Sequence, residues 1–218
     1  MYRDDPDVVV VHVDTGSAFP HVSEFVRSSV SALGMRLHIT GPETSCDSWQ
    51  AANGYPADVV PWDATPQMKF AITNQPVSIV PYATCCTVNL WQPMQDSIKA
   101  LGADTIIRGS KACDSKVSVP DGYVADGVTY LSPLWDWSDD DVFAYLEKHG
   151  VELPPQYASG GDSFDCWCCT AYLNDHGRER FNYLKQNYPS LYVEAARRLD
   201  AVRQTVRGAV QNMEWSEN

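Results

Sequence analysis

Three things are scarce in this 218-residue chain: long apolar runs, positive charge, and the sequence patterns of hydrolytic enzymes. No apolar stretch approaches the roughly 18–20 residues a helix needs to span a bilayer, so a helical membrane protein is not expected. Lys and Arg number 16 against 28 Asp and Glu, a formal net charge of −12. That balance disfavours non-specific attraction to nucleic-acid phosphates, although it leaves room for a local basic groove. No Ser-His-Asp order and no His-Glu-x-x-His helix occurs, which removes support for serine-hydrolase and zinc-protease chemistry. Met1-Tyr-Arg-Asp-Asp reads as the lead into a strand and not as a secretory leader. A soluble, reducing, cytoplasmic setting follows as the expectation. Internal repeats and low-complexity tracts are also missing, and the length suits one domain with a sizeable core.

What is present is cysteine, in a telling pattern. Cys85-Cys86 is followed, 80 residues on, by Cys166-x-x-Cys169. Two close pairs far apart in sequence can meet in a fold and present four thiolates to one centre. Thiolate is a soft ligand, so four of them select zinc or an iron–sulfur cluster. Buried structural cysteines are the alternative reading. A disulfide framework fits poorly, because seven cysteines is an odd number and no secretory signal accompanies them.

The hydrophobic pattern predicts an α/β fold. Val8 to Val13 is a near-continuous β-branched run of the kind found in buried parallel strands, ending at Asp14-Thr15-Gly16. Pro20 to Leu33 reads as a helix stopped at Gly34, and Arg36 to Thr40 as a second strand. Strand, helix, strand in that order argues for an α/β unit. From Gly41 to Pro81 only short elements are expected. Cys85 to Leu101 reads as a helix despite Pro93, and Asp104–Arg108 as a strand. Gly109 to Asp126 reads as a loop, followed by a short strand at Thr129–Leu131. Ser138 with Asp139, Asp140 and Asp141 caps a helix running to about His149. Two helices, near 177–187 and 190–210, close the chain.

Several of these pieces, in this order, resemble the phosphoadenylyl sulfate (PAPS) and adenylyl sulfate reductase family of the adenine-nucleotide alpha-hydrolase superfamily. The stretch from Val13 through Asp14-Thr15-Gly16 to Phe19-Pro20 is similar to the family's strand ending in Asp-Thr-Gly. Ile107-Arg108-Gly109-Ser110-Lys111 to Ser115 resembles its Gly-x-Arg-x-x-(Glu/Gln)-Ser loop. Ser132-Pro133-Leu134-Trp135-Asp136-Trp137-Ser138, with Asp141-Val142, resembles its Pro-Leu-x-x-Trp-(Thr/Ser) element. The resemblance runs from about Val8 to Thr170. It implies a doubly wound, mostly parallel sheet lacking its first β–α unit, with 1–175 as the domain and 176–218 as a helical extension. It also implies a sulfonucleotide substrate contacted by Asp14, Thr15, Gly16, Arg108, Gly109, Lys111 and Ser115. The iron–sulfur branch of the family implies a 4Fe–4S cluster on Cys85, Cys86, Cys166 and Cys169, with zinc in the same cage as the alternative. Cys168 then reads as a neighbour of the cluster, and Cys46 and Cys113 as buried or loop thiols.

Three departures stand beside the matches. The family's Ser-Gly-Gly-x-Asp-Ser phosphate loop is missing, so the sheet is expected to be rearranged or completed by a partner or oligomer. Ser159-Gly160-Gly161-Asp162-Ser163 leads straight into Cys166 and is not read as a substitute. The tail carries no thiol after Cys169, leaving Cys168 as the stand-in nucleophile only if it faces substrate. The family's Arg-Lys pair after Cys-Cys is replaced by Thr87-Val88-Asn89-Leu90. Positive charge is then left to Arg108, Lys111, Lys116 and the 178–180 region, which read equally well as solvated charges. His12 is expected as a hydrogen-bonded core residue, and Trp135, Trp137 and Tyr145 as core aromatics. His176 has a weak claim to an anion.

Three functions follow. The first is a PAPS/adenylyl sulfate reductase-like oxidoreductase, with a thiol electron donor. The second is an iron–sulfur sulfurtransferase that modifies nucleic acid. The third is a non-catalytic 4Fe–4S or zinc module, or one half of a split protein. The cluster expectation has a direct check. Cys86→Ser should strip iron and sulfide from anaerobically prepared protein, and unchanged metal content in that variant would overturn the ligand set.

Overall fold

The computed structural model describes residues 5–68, 77–114, 119–158, 164, 166–173 and 177–211. The chain forms two compact units, one from the residues up to Gln95 together with those from Pro154 onward, the other from Asp96 to Leu153.

The first unit opens with β1 (Val9–Val13), α1 (Pro20–Ala32) and β2 (Arg36–Thr40). β1 and β2 are parallel, with Val9 beside Arg36 and Val13 beside Thr40. Pro20 suits the first turn of α1, where its missing N–H has no partner to lose. Next come α2 (Cys46–Asn53), β3 (Tyr55–Ala57), β4 (Ile79–Pro81) and α3 (Tyr82–Cys86), with β3 and β4 a second parallel pair. A π-helical turn, Thr87–Trp91, follows α3 and runs into α4 (Gln92–Leu101). The helix expected over 85–101 is therefore continuous but changes its winding. Gln92 N–H bonds Thr87 O, five residues back. Pro93 falls in the first turn after that change, where a missing N–H costs little.

In the second unit, β5 (Thr105–Ile107), β6 (Tyr123–Ala125) and β7 (Val128–Leu131) make a sheet in the order β5-β7-β6, followed by α5 (Asp139–Lys148). β5 is parallel to β7 and β6 antiparallel. β6 lies inside the stretch expected as a loop. The signal for it is Asp126-Gly127, which joins β6 to β7 with both residues at positive φ, +50° and +78°. That is the geometry of a two-residue hairpin that favours Asp-Gly. α5 starts with a capping box: Asp141 N–H donates to Ser138 Oγ while Ser138 N–H donates to Asp141 Oδ2.

The chain returns to the first unit with α6 (Pro155–Ala158), α7 (Gly177–Asn187) and α8 (Pro189–Gln211). Among the described residues the strands therefore occupy three small sheets, two of them parallel pairs and the third mixed. Three apolar clusters hold the first unit. Phe19, Phe164, Tyr183, Leu184 and Ala195 form an aromatic one. Tyr55, Ala57, Ala64, Ile79 and Val202 seat α8 on β3. Val80 with Cys46, Cys85 and Cys168 forms the third, against Trp49, Cys166 and Trp167. Fully buried side chains such as Phe19, Ile79 and Leu184 each contribute about 1.5–3 kcal/mol by leaving water.

The aromatics expected as core do not form one. Trp135 and Trp137 are half-buried, Tyr145 is 49% exposed, and α5 buries no residue. Trp137, Tyr145 and His149 lie against one another at the surface instead, with ring centroids 5.4 and 4.2 Å apart. Three short strands and one helix are too little structure to enclose rings of that size. No helix among the described residues is long and apolar enough to cross a membrane. Ser138→Ala should cost the α5 unit about 1 kcal/mol through loss of the cap, read as a lower unfolding midpoint, whereas Ser138→Asp should restore most of it.

Candidate functional site

The loop after β1 and the cysteine segment after α6 meet. Ala18 pairs with Cys166 as an isolated antiparallel bridge, and Trp167 N–H donates to Ser17 O at 3.0 Å. Thr15, buried at the carboxyl end of β1, sets its Oγ1 3.3 Å from Cys166 Sγ. Its carbonyl accepts from Cys46 N–H at 2.8 Å, which fixes the start of α2. Gly16 makes this possible. Its φ is +69°, and a Cβ there would stand 2.8 Å from Ser45 Cβ, so a side chain would force the loop away. Asp14 folds back on the loop, accepting from Gly16 N–H at 2.9 Å and from the Ser23 hydroxyl at 3.4 Å. Its geometry is that of a turn cap.

Cys46, Cys85, Cys166 and Cys168 gather here. Cys46 and Cys85 Sγ are 3.7 Å apart. Gln50, itself buried, donates from Nε2 to both, at 3.4 and 3.6 Å. Asn89, turned inward by the π turn, donates to Cys85 O at 2.9 Å and to Cys85 Sγ at 3.7 Å. The protons are shared unequally. Hydrogen bonds, first from Cys46, hold the Cys85 thiol below its ordinary value. Those from Cys168 and then Cys46 hold Cys166 well below it, against burial, with Thr15 and the Arg180 charge adding to the effect. Cys46 and Cys168, the donors, are pushed up in return, each first by its bond to Cys166. Burial pushes Cys169 up to about 11. These directions follow from which form each hydrogen bond favours.

Two buried guanidiniums border the thiols. Arg180 donates from Nη2 to Cys169 O at 3.1 Å and Ala171 O at 2.8 Å. Arg198 donates from Nε to Glu194 Oε1 at 2.7 Å and from Nη1 to Gln50 Oε1 at 3.3 Å. It lies over the rings of Tyr55 and Trp167. Beside Thr15, a cavity of about 180 Å³ is bordered by His12, Leu90, Gln156, Tyr157 and Phe164 among others. His12 Nε2 is buried there without a partner, and burial lowers the pKa of the ring. Among the described residues the Nε2 of His12 therefore lacks the hydrogen bond expected of it, and the residue is half-buried.

In the second unit, Arg108 and Ser132 follow β5 and β7 at their carboxyl ends. Arg108 Nε and Nη2 and Ser132 Oγ are buried and have no hydrogen-bond partner among the described residues. The guanidinium lies 5.1 Å from the centroid of the Tyr130 ring, and its own N–H bonds Leu131 O. Lys111 is already occupied by ion pairs with Asp114 and Asp139, and Gly109 is exposed.

Of the four cysteines expected as ligands, Cys85 and Cys166 lie in the packed thiol cluster, while Cys86 and Cys169 are not among its members. Cys46 and Cys168, read from the sequence as bystanders, are. Cys46 carries a signal that spacing alone hides, its place at the start of a short helix after Gly41-Pro42. Cys113 is exposed and donates weakly to Trp137 O. Arg180, read from the sequence as either an anion contact or a solvated charge, is buried, and Arg198 had no sequence signal beyond its four-residue spacing from Glu194. Arg178 is exposed. Ser115, Lys116, His176 and 159–163 lie outside the described residues. The donor chemistry fits a soft metal. Among the described residues no group of three or more His, Cys, Asp or Glu is placed to hold a metal ion.

Parallel strand pairs, the first joined by α1, with a thiol-lined loop at a carboxyl strand end, define an α/β protein. The family model of the phosphoadenosine phosphosulfate reductase domain matches residues 1–172, and the chain belongs to that family. It is 28% identical over 160 residues to the phosphoadenosine 5′-phosphosulfate reductase of Yersinia enterocolitica, a match covering 72% of this chain and 58% of that protein. It is 28% identical over 190 residues to that of Sodalis glossinidius, covering 84% of this chain and 70% of the relative. The chain thus spans little more than half the length of the first of these. A crystal structure of phosphoadenylyl-sulfate reductase from Candida auris, in a phosphate complex, superposes with a TM-score of 0.54 at 22% identity. That superposition covers 76% of this chain and 72% of that one, and it shows the fold.

Glu194, which partners Arg197 and Arg198, supplies a pH test. The two guanidiniums, Arg197 first, hold its carboxyl at about 2 against an ordinary 4.5. A depressed folded-state value means stabilisation fully present above about pH 4.5 and lost as pH falls towards 2. The stability gap between the protein and Glu194→Gln should therefore shrink through that window; a constant gap would show that the pairing contributes nothing.

Proposed function

We propose that this chain is a sulfonucleotide-binding domain of the reductase type, acting on adenylyl sulfate or its 3′-phosphate. The observation that carries the reading is Arg108. Arg108 is half-buried, and among the described residues its Nε and Nη2, like the Ser132 hydroxyl at the next register position after β7, have no hydrogen-bond partner; an oxyanion would satisfy both. Sulfate and phosphate groups have the oxygens to do so. The relatives' names point to the same substrate class. In the first unit, the cavity beside Thr15 and His12 offers a mostly apolar space at a carboxyl strand end, where α/β folds take ligands.

Within the second unit, Arg108 would bind an anion and Ser132 would add a hydrogen bond to it. Cys166 has the only combination of partial exposure and a strongly lowered thiol value among the described cysteines, which makes it the better nucleophile candidate. Cys168, the stand-in suggested by sequence, is fully buried and pushed up. That observation favours a second reading, in which the domain binds the nucleotide and does not reduce it. A 4Fe–4S cluster on Cys85, Cys86, Cys166 and Cys169, or zinc, is a proposal supported by the donor chemistry. It requires Cys86 and Cys169 to join the other two, and no reaction step is assigned to it.

Calorimetric titration of anaerobically purified protein with ATP, adenylyl sulfate and phosphoadenylyl sulfate tests the binding. One sulfonucleotide should bind at micromolar concentration and lose about tenfold or more in affinity with Arg108→Gln; no binding to any of the three would overturn the reading. Sulfite release in the presence of a small dithiol separates a reductase from a binding module.

A further inference from the structure

We propose that the outer face of α8, with Lys185 of α7 beside it, is a contact surface for a nucleic-acid phosphate backbone. The inference is independent of the sulfonucleotide reading and rests on where the charge lies. Residues 177–211 hold seven Lys and Arg against three Asp and Glu, whereas the rest of the chain holds nine against 25. A strongly acidic chain thus gathers positive charge on its last two helices. Charge asymmetry of that kind points to a polyanionic partner.

Packing then sorts the cations. Arg180 and Arg198 are buried and bonded to their own surroundings, Cys169 O and Ala171 O for the first, Glu194 and Gln50 for the second. Arg197 is exposed, yet both carboxylate oxygens of Glu194 hold it. Lys185, Arg203 and Arg207 are exposed, and none of them makes an ion pair among the described residues. These three align. Lys185 Nζ lies 5.9 Å from the ring centroid of Tyr192, in the first turn of α8. At 100° per residue, Tyr192, Arg203 and Arg207 fall within about 60° of one another around the helix. At 1.5 Å per residue the row runs about 22 Å along the axis. Asp200, the acid closest to that row around the helix, already accepts from Gln204 at 2.7 Å.

The row and its chemistry select the ligand. A guanidinium grips a phosphate through two parallel N–H···O bonds. A duplex strand presents a phosphate about every 3.4 Å of its axis, so a row of this length meets several whatever the sequence. An acidic protein would need carboxylates matched to the same row. The acidic remainder of the chain keeps other faces off the phosphates and so sets the side from which the two approach. Contacts of this kind position a nucleic acid without reading its bases.

Fluorescence anisotropy of the full chain with labelled DNA and RNA duplexes of about 20 base pairs, over roughly 20 to 200 mM salt, tests the surface. At least one duplex should bind, its log affinity falling against log salt with a slope of about −2.7, as expected for three neutralised phosphates. Arg203→Gln/Arg207→Gln should weaken binding about tenfold or more at low salt and flatten the slope by about 2. Its unfolding midpoint should not move, which separates lost contacts from a lost fold. Arg36→Gln/Lys99→Gln removes two exposed cations elsewhere and should leave the slope unchanged. Excess adenylyl sulfate should not displace the duplex, which keeps the surface distinct from the Arg108 site. The proposal is overturned by no binding to either duplex, by equal weakening in both double variants, or by displacement with adenylyl sulfate. Equally tight binding of poly-glutamate would also overturn it, and would make the partner an acidic protein.

Discussion

The arrangement of the first unit follows from how the buried guanidinium of Arg198 is satisfied. Glu194 on its own helix takes one edge, Gln50 on α2 another, and Asp47 stands 3.9 Å off. Tyr55 of β3 and Trp167 of the cysteine segment cover it with aromatic rings. Four separate pieces of chain are thereby positioned around one charge. Because Gln50 spends its carbonyl on Arg198, its amide nitrogen is free to face Cys46 and Cys85. Charge satisfaction in α8 is in this way transmitted to the sulfur layer through a single side chain.

The sulfur layer itself is an economy of protons. Four thiols in a small dry volume cannot all ionise, since like charges at short range raise each other's pKa. They share protons instead, with Cys85 and Cys166 the net acceptors and Cys46 and Cys168 pushed up. Such an arrangement is reactive at the acceptors and inert at the donors, which is why the fully buried Cys168 and the half-exposed Cys166, two residues apart, differ so much in chemical character.

Much of this was legible in the sequence. β1, α1, β2 and the α5 cap were readable because each is specified locally, by a β-branched run, a proline start or a capping box. The family was readable because its motifs lie at strand ends that the chain keeps. β6 was missed, although Asp126-Gly127 marks its turn, because three-residue strands carry almost no periodicity. The thiol grouping was legible in part, since spacing brings Cys85 and Cys166 together but gives no sign of Cys46 and Cys168 beside them. Spacing makes Cys86 and Cys169 look equivalent to Cys85 and Cys166, yet only the latter two pack with Cys46 and Cys168. Cys46 enters through a contact between segments far apart in sequence, and Arg180 and Arg198 are buried through helix packing that no local pattern records.

The π turn at Thr87–Trp91 has a wider meaning. Each residue added to a helix rotates everything after it by about 100°. By taking up an extra residue in a single turn, the chain sets the facing of α3, which carries the adjacent cysteines, independently of the facing of α4. A deletion of one residue between 87 and 91 would restore regular winding without removing a single cysteine. It would nonetheless change the facing of α4 relative to α3 by about 100°, so the insertion acts as a phase shifter between the chemical half of this long helix and the half that leads the chain onward.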